Sequence, residues 1–185
     1  MKIQMKTVLA ALSLAASFVL ATLMPAFAQD ASQAFRGFSS TSNDPIQIEA
    51  DRLEVRDQEK IAVYKGNVRV RQGETLLKTA ELRVHYTGDA TGGAPGSGVD
   101  RIETGGHVTV RSGNQTASGD KAVFEMARDL VTLTGNVILT EGDDVVRGSR
   151  LVVDLKARKA NMYGGVSTSG GSRVQTVINP NKKRN

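Results

Sequence analysis

The chain has 185 residues, no cysteine and no tryptophan, so disulfides and thiolate metal sites are excluded and cohesion must come from burial and strand pairing. Its formal charge of +5 comes from 24 basic residues spread along the chain rather than gathered in one block. That distribution argues against nucleic-acid binding despite the basic balance.

Residues 1–28 read as a cleaved secretory signal peptide. Lys2 and Lys6 make a positive start, Val8 to Met24 is largely apolar, and Ala26-Phe27-Ala28 is a small-x-small cleavage site. The other reading of this segment is an uncleaved anchor, since its apolar run approaches the roughly 17-residue minimum for spanning. Cleavage leaves 157 residues beginning at Gln29, with formal charge +3, enough for one domain with its own core. Gln29 to Asn43 is polar and without period, so residues 29–43 read as a disordered lead-in. Phe35 and Phe38, its only large apolar residues, are either a short docking element or two aromatics without a role.

From Pro45 the period becomes two: Ile46 and Ile48 alternate with Gln47 and Glu49, as in a half-buried strand. Across Ala50-Asp51 the apolar set moves from even to odd positions, Leu53 and Val55, so the arm must bend there to keep one face inward. The same parity switch recurs at Thr79-Ala80 and Gly148-Ser149, and more loosely around Gly119. Arg56 to Lys60 is a polar turn, after which the chain returns through a glycine corner, A-V-Y-K-G-N-V-R-V (Ala62 to Val70), with Tyr64, Val68 and Val70 inward.

That corner returns at Ile102 to Val110, Val131 to Leu139 and Ala160 to Thr168. The valines after it, Val68, Val108, Val137 and Val166, are spaced by 40, 29 and 29 residues. This is a 29-residue repeat with one 11-residue insertion, the glycine-rich loop Gly88 to Gly98. Each repeat predicts two antiparallel arms, each broken at a small residue. Four repeats give about 16 short strands, and no segment after residue 28 shows helical periodicity. The expected class is all-β, with bent hairpin arms stacked as a sandwich-like jelly roll or a short solenoid. The domain is expected over residues 44–178, with Val174 to Ile178 as a last strand and 179–185 as a basic disordered tail.

Chemistry is sparse. His85 and His107 lie 22 residues apart without a metal-ligand pattern, and Glu141, Asp143 and Asp144 fall at an expected hairpin turn, where Asp and Gly are favoured for backbone reasons. No catalytic residue, metal site or cofactor is expected. A β-solenoid enzyme acting on polysaccharide would need a cluster of acids on one strand face. The first strand carries no lysine and one acid, Glu49, so it is open to pairing with another chain.

Of the expected inward set, which also includes Leu77, Tyr86, Val110, Val131, Leu139 and Val153, the candidate lining residues are Ile46, Ile48, Leu53, Val55, Tyr64, Val68, Val70, Leu82, Val84, Val108, Phe124, Leu133, Val137 and Leu151. Two readings of this lining stand: a closed core, or a slightly open sandwich whose interior accepts acyl chains. Arg52, Arg69, Arg71 and Arg83 have outward parity and either keep the outer face soluble or meet phosphates.

The stretches D-P-I-Q-I-E-A-D-R-L-E-V (Asp44 to Val55), A-V-Y-K-G-N-V-R-V-R-Q-G (Ala62 to Gly73), A-S-G-D-K-A-V-F (Ala117 to Phe124) and L-T-G-N-V-I-L-T-E-G (Leu133 to Gly142) resemble the OstA-like family. The similarity covers roughly Asp44 to Val166, with the insertion and the G-G-H-V and G-G-V variants of the corner as departures. The resemblance implies an open β-jelly roll in the periplasm that carries lipopolysaccharide between the membranes, lipid A acyl chains against the fourteen inward residues. It further implies end-to-end self-association and partnership with inner-membrane-anchored and outer-membrane proteins bearing similar β domains, with no nucleic acid and no chemistry. A non-bridging scaffold or adaptor of the same machinery is the alternative.

Overall fold

Period-two alternation commits most of the chain to strands. The computed structural model describes residues 32–38, 42–89, 98–165 and 173–179. Its strands are β1 (Gln47–Glu49), β2 (Arg52–Arg56), β3 (Ile61–Gln72), β4 (Thr75–Thr87), β5 (Gly98–Gly105), β6 (Val108–Ser112), β7 (Gln115–Gly119), β8 (Lys121–Glu125), β9 (Leu130–Glu141), β10 (Asp144–Asp154), β11 (Lys159–Tyr163) and β12 (Gln175–Val177). All twelve belong to one antiparallel sheet. The expected signal peptide, most of the 88–98 loop, Val166 and residues 180–185 lie outside the described residues.

The four long strands change partner midway. β3 pairs first with β2 and then with β1, β4 with β6 and then β5, β9 with β8 and then β7, and β10 with β12 and then β11. The sheet therefore folds into two halves. The first runs β2-β3-β4-β5-β8-β9-β10-β11 and the second β1-β3-β4-β6-β7-β9-β10-β12. The described residues form 12 strands where the repeats predict about 16 short ones, because β3, β4, β9 and β10 run through the bend unbroken, and the inner faces of the halves close on one hydrophobic cluster.

The bends fall at the parity switches. Register shifts interrupt the β3–β4 pair between Lys65 and Val68 and the β9–β10 pair between Gly148 and Arg150. At the G-N corners both residues take left-handed backbone: Gly66 and Asn67 at φ 79° and 48°, Gly135 and Asn136 at 73° and 44°. Glycine and asparagine are the residues that tolerate this region. Each corner is tied to the switch before it: Asn67 Nδ2 donates to Asp51 Oδ2 at 2.8 Å and Asn136 Nδ2 to Asp120 Oδ2 at 2.9 Å. The A-D and G-D of one half-motif thus anchor the G-N of the other.

The lead-in departs from expectation. Gln33–Phe38 forms a 3-10 helical turn whose Ala34, Phe35 and Phe38 join the core cluster. Burial of two phenyl rings supplies the stabilisation that its polar composition concealed.

Candidate functional site

Residues paired across antiparallel strands share a face. On the inner face of the first half the pairing runs Val55, Ala62, Val84, Ile102, Phe124, Val131, Val153 and Ala160. On the inner face of the second it runs Ile48, Val70, Leu77, Val110, Ala117, Leu139, Val146 and Thr176. Neither row contains a charged residue, and each extends from one edge of the sheet to the other. A third row brings together Leu53, Tyr64, Leu82 and Thr104 and, beyond it, Ala122, Leu133, Leu151 and Met162. Thr104 is satisfied within it, because its Oγ1 accepts from the Ala122 backbone N–H at 2.8 Å. Burial pushes the Tyr64 phenol above its ordinary pKa, so it stays neutral in this lining.

The structure brings Tyr64, Val68, Val70, Leu82, Val84, Val108, Phe124, Leu133, Val137 and Leu151 into the buried core. Ile48 and Val55 pack against it, partly buried. Ile46 and Leu53 do not join it and remain 38% and 42% exposed. Leu53 has the expected inward parity, opposite Tyr64, but among the described residues β2 pairs only with β3 and leaves its other side open. Ile46 precedes β1, whose first residue is Gln47.

All six exposed large apolar residues among the described ones sit at the two ends of the sheet. Ile46 and Leu53 lie at the β1–β2 end, and Tyr163, Val174, Val177 and Ile178 at the β11–β12 end. Each end presents strands bonded on one side only.

Between the halves, opposite the bends, lies a mouth of about 840 Å³. Second-half turns at Gly73 and Gly113 line it on one side, first-half residues Asp129 and Lys156 on the other, and the helical turn sits in it through Gln33 and Arg36. Phe35 and Phe38 meet Phe124 edge-on, with ring centroids 6.2 and 5.4 Å apart. Sequence reasoning missed this contact; the signal was a pair of phenylalanines three residues apart in an otherwise polar stretch.

The outer face of the first half is ion-paired. Glu103 sits 2.7 Å from Arg101 Nε, 3.4 Å from Lys121 Nζ and 3.9 Å from His85 Nε2. Burial opposes its ionisation, but Arg101 and Lys121 outweigh it and hold the carboxyl below the usual carboxylate range. Arg83 is paired with Glu81 at 2.7 Å. His85 thus lies in a surface ion network and His107 is exposed. Asp143 occupies the β9–β10 turn, and Asp144 accepts from the Asn179 backbone N–H at 2.9 Å. Among the described residues there is no group of three or more His, Cys, Asp or Glu placed to hold a metal, and no helix long and apolar enough to cross a membrane.

A folded antiparallel sheet whose two halves close on a charge-free inner strip defines a β-jelly roll. Residues 47–159 match the family described as LptA/(LptD N-terminal domain) LPS transport protein, and the chain belongs to that family. It is 35% identical over 163 residues to an uncharacterized protein of Rhizobium meliloti, covering 86% of this chain and 84% of the relative. It is 26% identical over 167 residues to the lipopolysaccharide export system protein LptA of Escherichia coli, covering 90% and 83%. The crystal structure of LptH, the LptA-homologous periplasmic component of the lipopolysaccharide transport device of Pseudomonas aeruginosa, shares the fold. Its TM-score is 0.62 at 22% identity, over 76% of this chain and 99% of that one.

Proposed function

We propose that this chain is a periplasmic lipopolysaccharide carrier that joins edge to edge with its own copies and with related domains of the two membranes. The acyl chains of lipid A travel on the inner face while the sugars stay outside. The observation that carries this reading is the pair of charge-free inner rows that run unbroken between two open edges. A second copy adding its β1–β2 edge to the β11–β12 edge of the first continues both rows by strand addition. An acyl chain laid along them leaves water at a gain of about 25 cal/mol per Å² buried. Family membership and the names of the Escherichia coli and Pseudomonas aeruginosa relatives support the choice of cargo. The expected signal peptide at residues 1–28 supports a periplasmic location. Transfer changes what the acyl chain touches and breaks no bond, so the role needs no catalytic residue or cofactor.

A second reading, a scaffold domain with a closed core, is favoured by one observation: Phe35 and Phe38 are already buried against Phe124 in the core. Photocrosslinking separates the two. The chain from Gln29 onward carries a photoreactive residue at Leu53, Val70 or Leu133, with outward Arg52 as control, and is irradiated with lipopolysaccharide. Labelling confined to the inward positions is the expected result. A folded protein labelled nowhere is a scaffold.

A further inference from the structure

The proposed acyl path holds an occupant supplied by the chain itself. Every member of the core cluster lies on a strand except Ala34, Phe35 and Phe38 of the helical turn. That turn packs against β4, β6 and β7, while its two rings rest on Phe124 of β8. The β4 residue it touches, Thr75, together with β6 and β7, belongs to the second half, and Phe124 to the first, so the turn bridges the halves across their open side.

The seat is specific in shape. The Gly37 backbone N–H donates to Thr75 Oγ1 at 3.2 Å. A Cβ at position 37 would stand 2.5 Å from that oxygen and 2.6 Å from the Gln72 carbonyl oxygen, so only glycine lets the turn sit this deep. The segment nevertheless adds no strand to the sheet. Burial of Ala34, Phe35 and Phe38 helps to hold it, by the same apolar attraction that would hold a hydrocarbon chain. Protein interiors leave no room for both, because side chains pack at crystal density.

We propose that residues 32–38 are a built-in plug of the acyl groove, and that their seat on Phe124 is the entry site an acyl chain takes by displacing them. The inference rests on the carrier reading above. Its consequence is a two-state equilibrium, in which apparent affinity is lowered by the fraction of molecules whose plug is seated.

Fluorescently labelled lipopolysaccharide is titrated into the chain from Gln29, into Gly37→Val and into the double variant Phe35→Ser/Phe38→Ser, with anisotropy as readout. Gly37→Val keeps both rings and unseats the turn by steric clash alone. Both variants are expected to bind at least about tenfold more tightly. Because the chain has no cysteine, Ala34→Cys in the otherwise unaltered protein gives a second readout that does not depend on how those variants fold. Its thiol, at a position 0% exposed, is expected to react slowly with a maleimide and faster once lipopolysaccharide is bound. A far-ultraviolet circular dichroism spectrum that stays unchanged on adding lipopolysaccharide separates displacement from unfolding. Lipopolysaccharide binding with Ala34→Cys still protected, or equal affinity in Gly37→Val and the unaltered chain, removes the plug and leaves the carrier. No binding by any folded variant removes the carrier and the plug with it.

Discussion

The inner rows and the sheet edges are built from the same residue types yet meet water very differently. Val84, Leu133 and Leu151 are at most 2% exposed, whereas Leu53 and Val177, on strands of the same sheet, keep 42% and 57%. Composition does not separate them; neighbours do. An inner residue has a paired strand on either side and the opposite half above it, while an edge residue has a partner on one side only. Stability should therefore reside in the rows and association at the edges.

The largest break in this comparison is a cavity in a row. Leu133→Ala is expected to cost about 3 kcal/mol in denaturant unfolding while leaving the folded fraction able to assemble end to end. A cost below about 1 kcal/mol would mean that the interior is not sealed at that point. Next come the corners that hold the halves together. Asp51→Ala and Asp120→Ala each remove the acceptor of an asparagine side chain at the bend. Each is expected to cost about 1 kcal/mol. Their effects should add, since the two corners share no partner.

Smaller still is the contribution of the outer ion network, which pH can read. The carboxyl of Glu103 is held below its ordinary range, so its unfolded pKa lies above its folded one. The stability it contributes is fully present above the unfolded value, about 4.3, and is lost as pH falls through the folded value. Unfolding midpoints should be flat from pH 7 to 6, and the decline below pH 4 should be shallower in Glu103→Gln than in the unaltered chain. A decline equally steep in both would assign the acid sensitivity to other carboxylates.

The edges should show the opposite signature, with the least effect on stability. Leu53→Arg and Val177→Lys are expected to change unfolding free energy by under about 0.5 kcal/mol. Sedimentation velocity should nonetheless show end-to-end assembly lost in each, because each puts a charge on an edge strand that the incoming copy must pair with. Assembly that survives both substitutions would place the contact elsewhere and leave the exposed edge residues unexplained.

Much of this architecture is legible in the residue order because its signals are local. Alternation reveals which residues share a face, and small residues at parity switches mark the bends. Glycine and asparagine at the corners supply the left-handed backbone found at Gly66-Asn67 and Gly135-Asn136. Ten of the fourteen expected lining residues are buried, and Ile48 and Val55 pack at the border. The two that stay out, Ile46 and Leu53, have or continue the right parity; what they lack is a covering neighbour. The last strand, β12, falls within the expected Val174 to Ile178.

The sequence by itself determined the period, the bends and the side each residue faces, because these follow from backbone sterics within a few residues. Only the tertiary structure decided which inward residues are covered and where the lead-in goes. Burial depends on partners brought from far along the chain: Phe35 meets Phe124 across 89 positions, and no periodicity links them. A glycine whose role is to approach Thr75 and Gln72 closely looks, in the sequence, like any other glycine in a polar stretch.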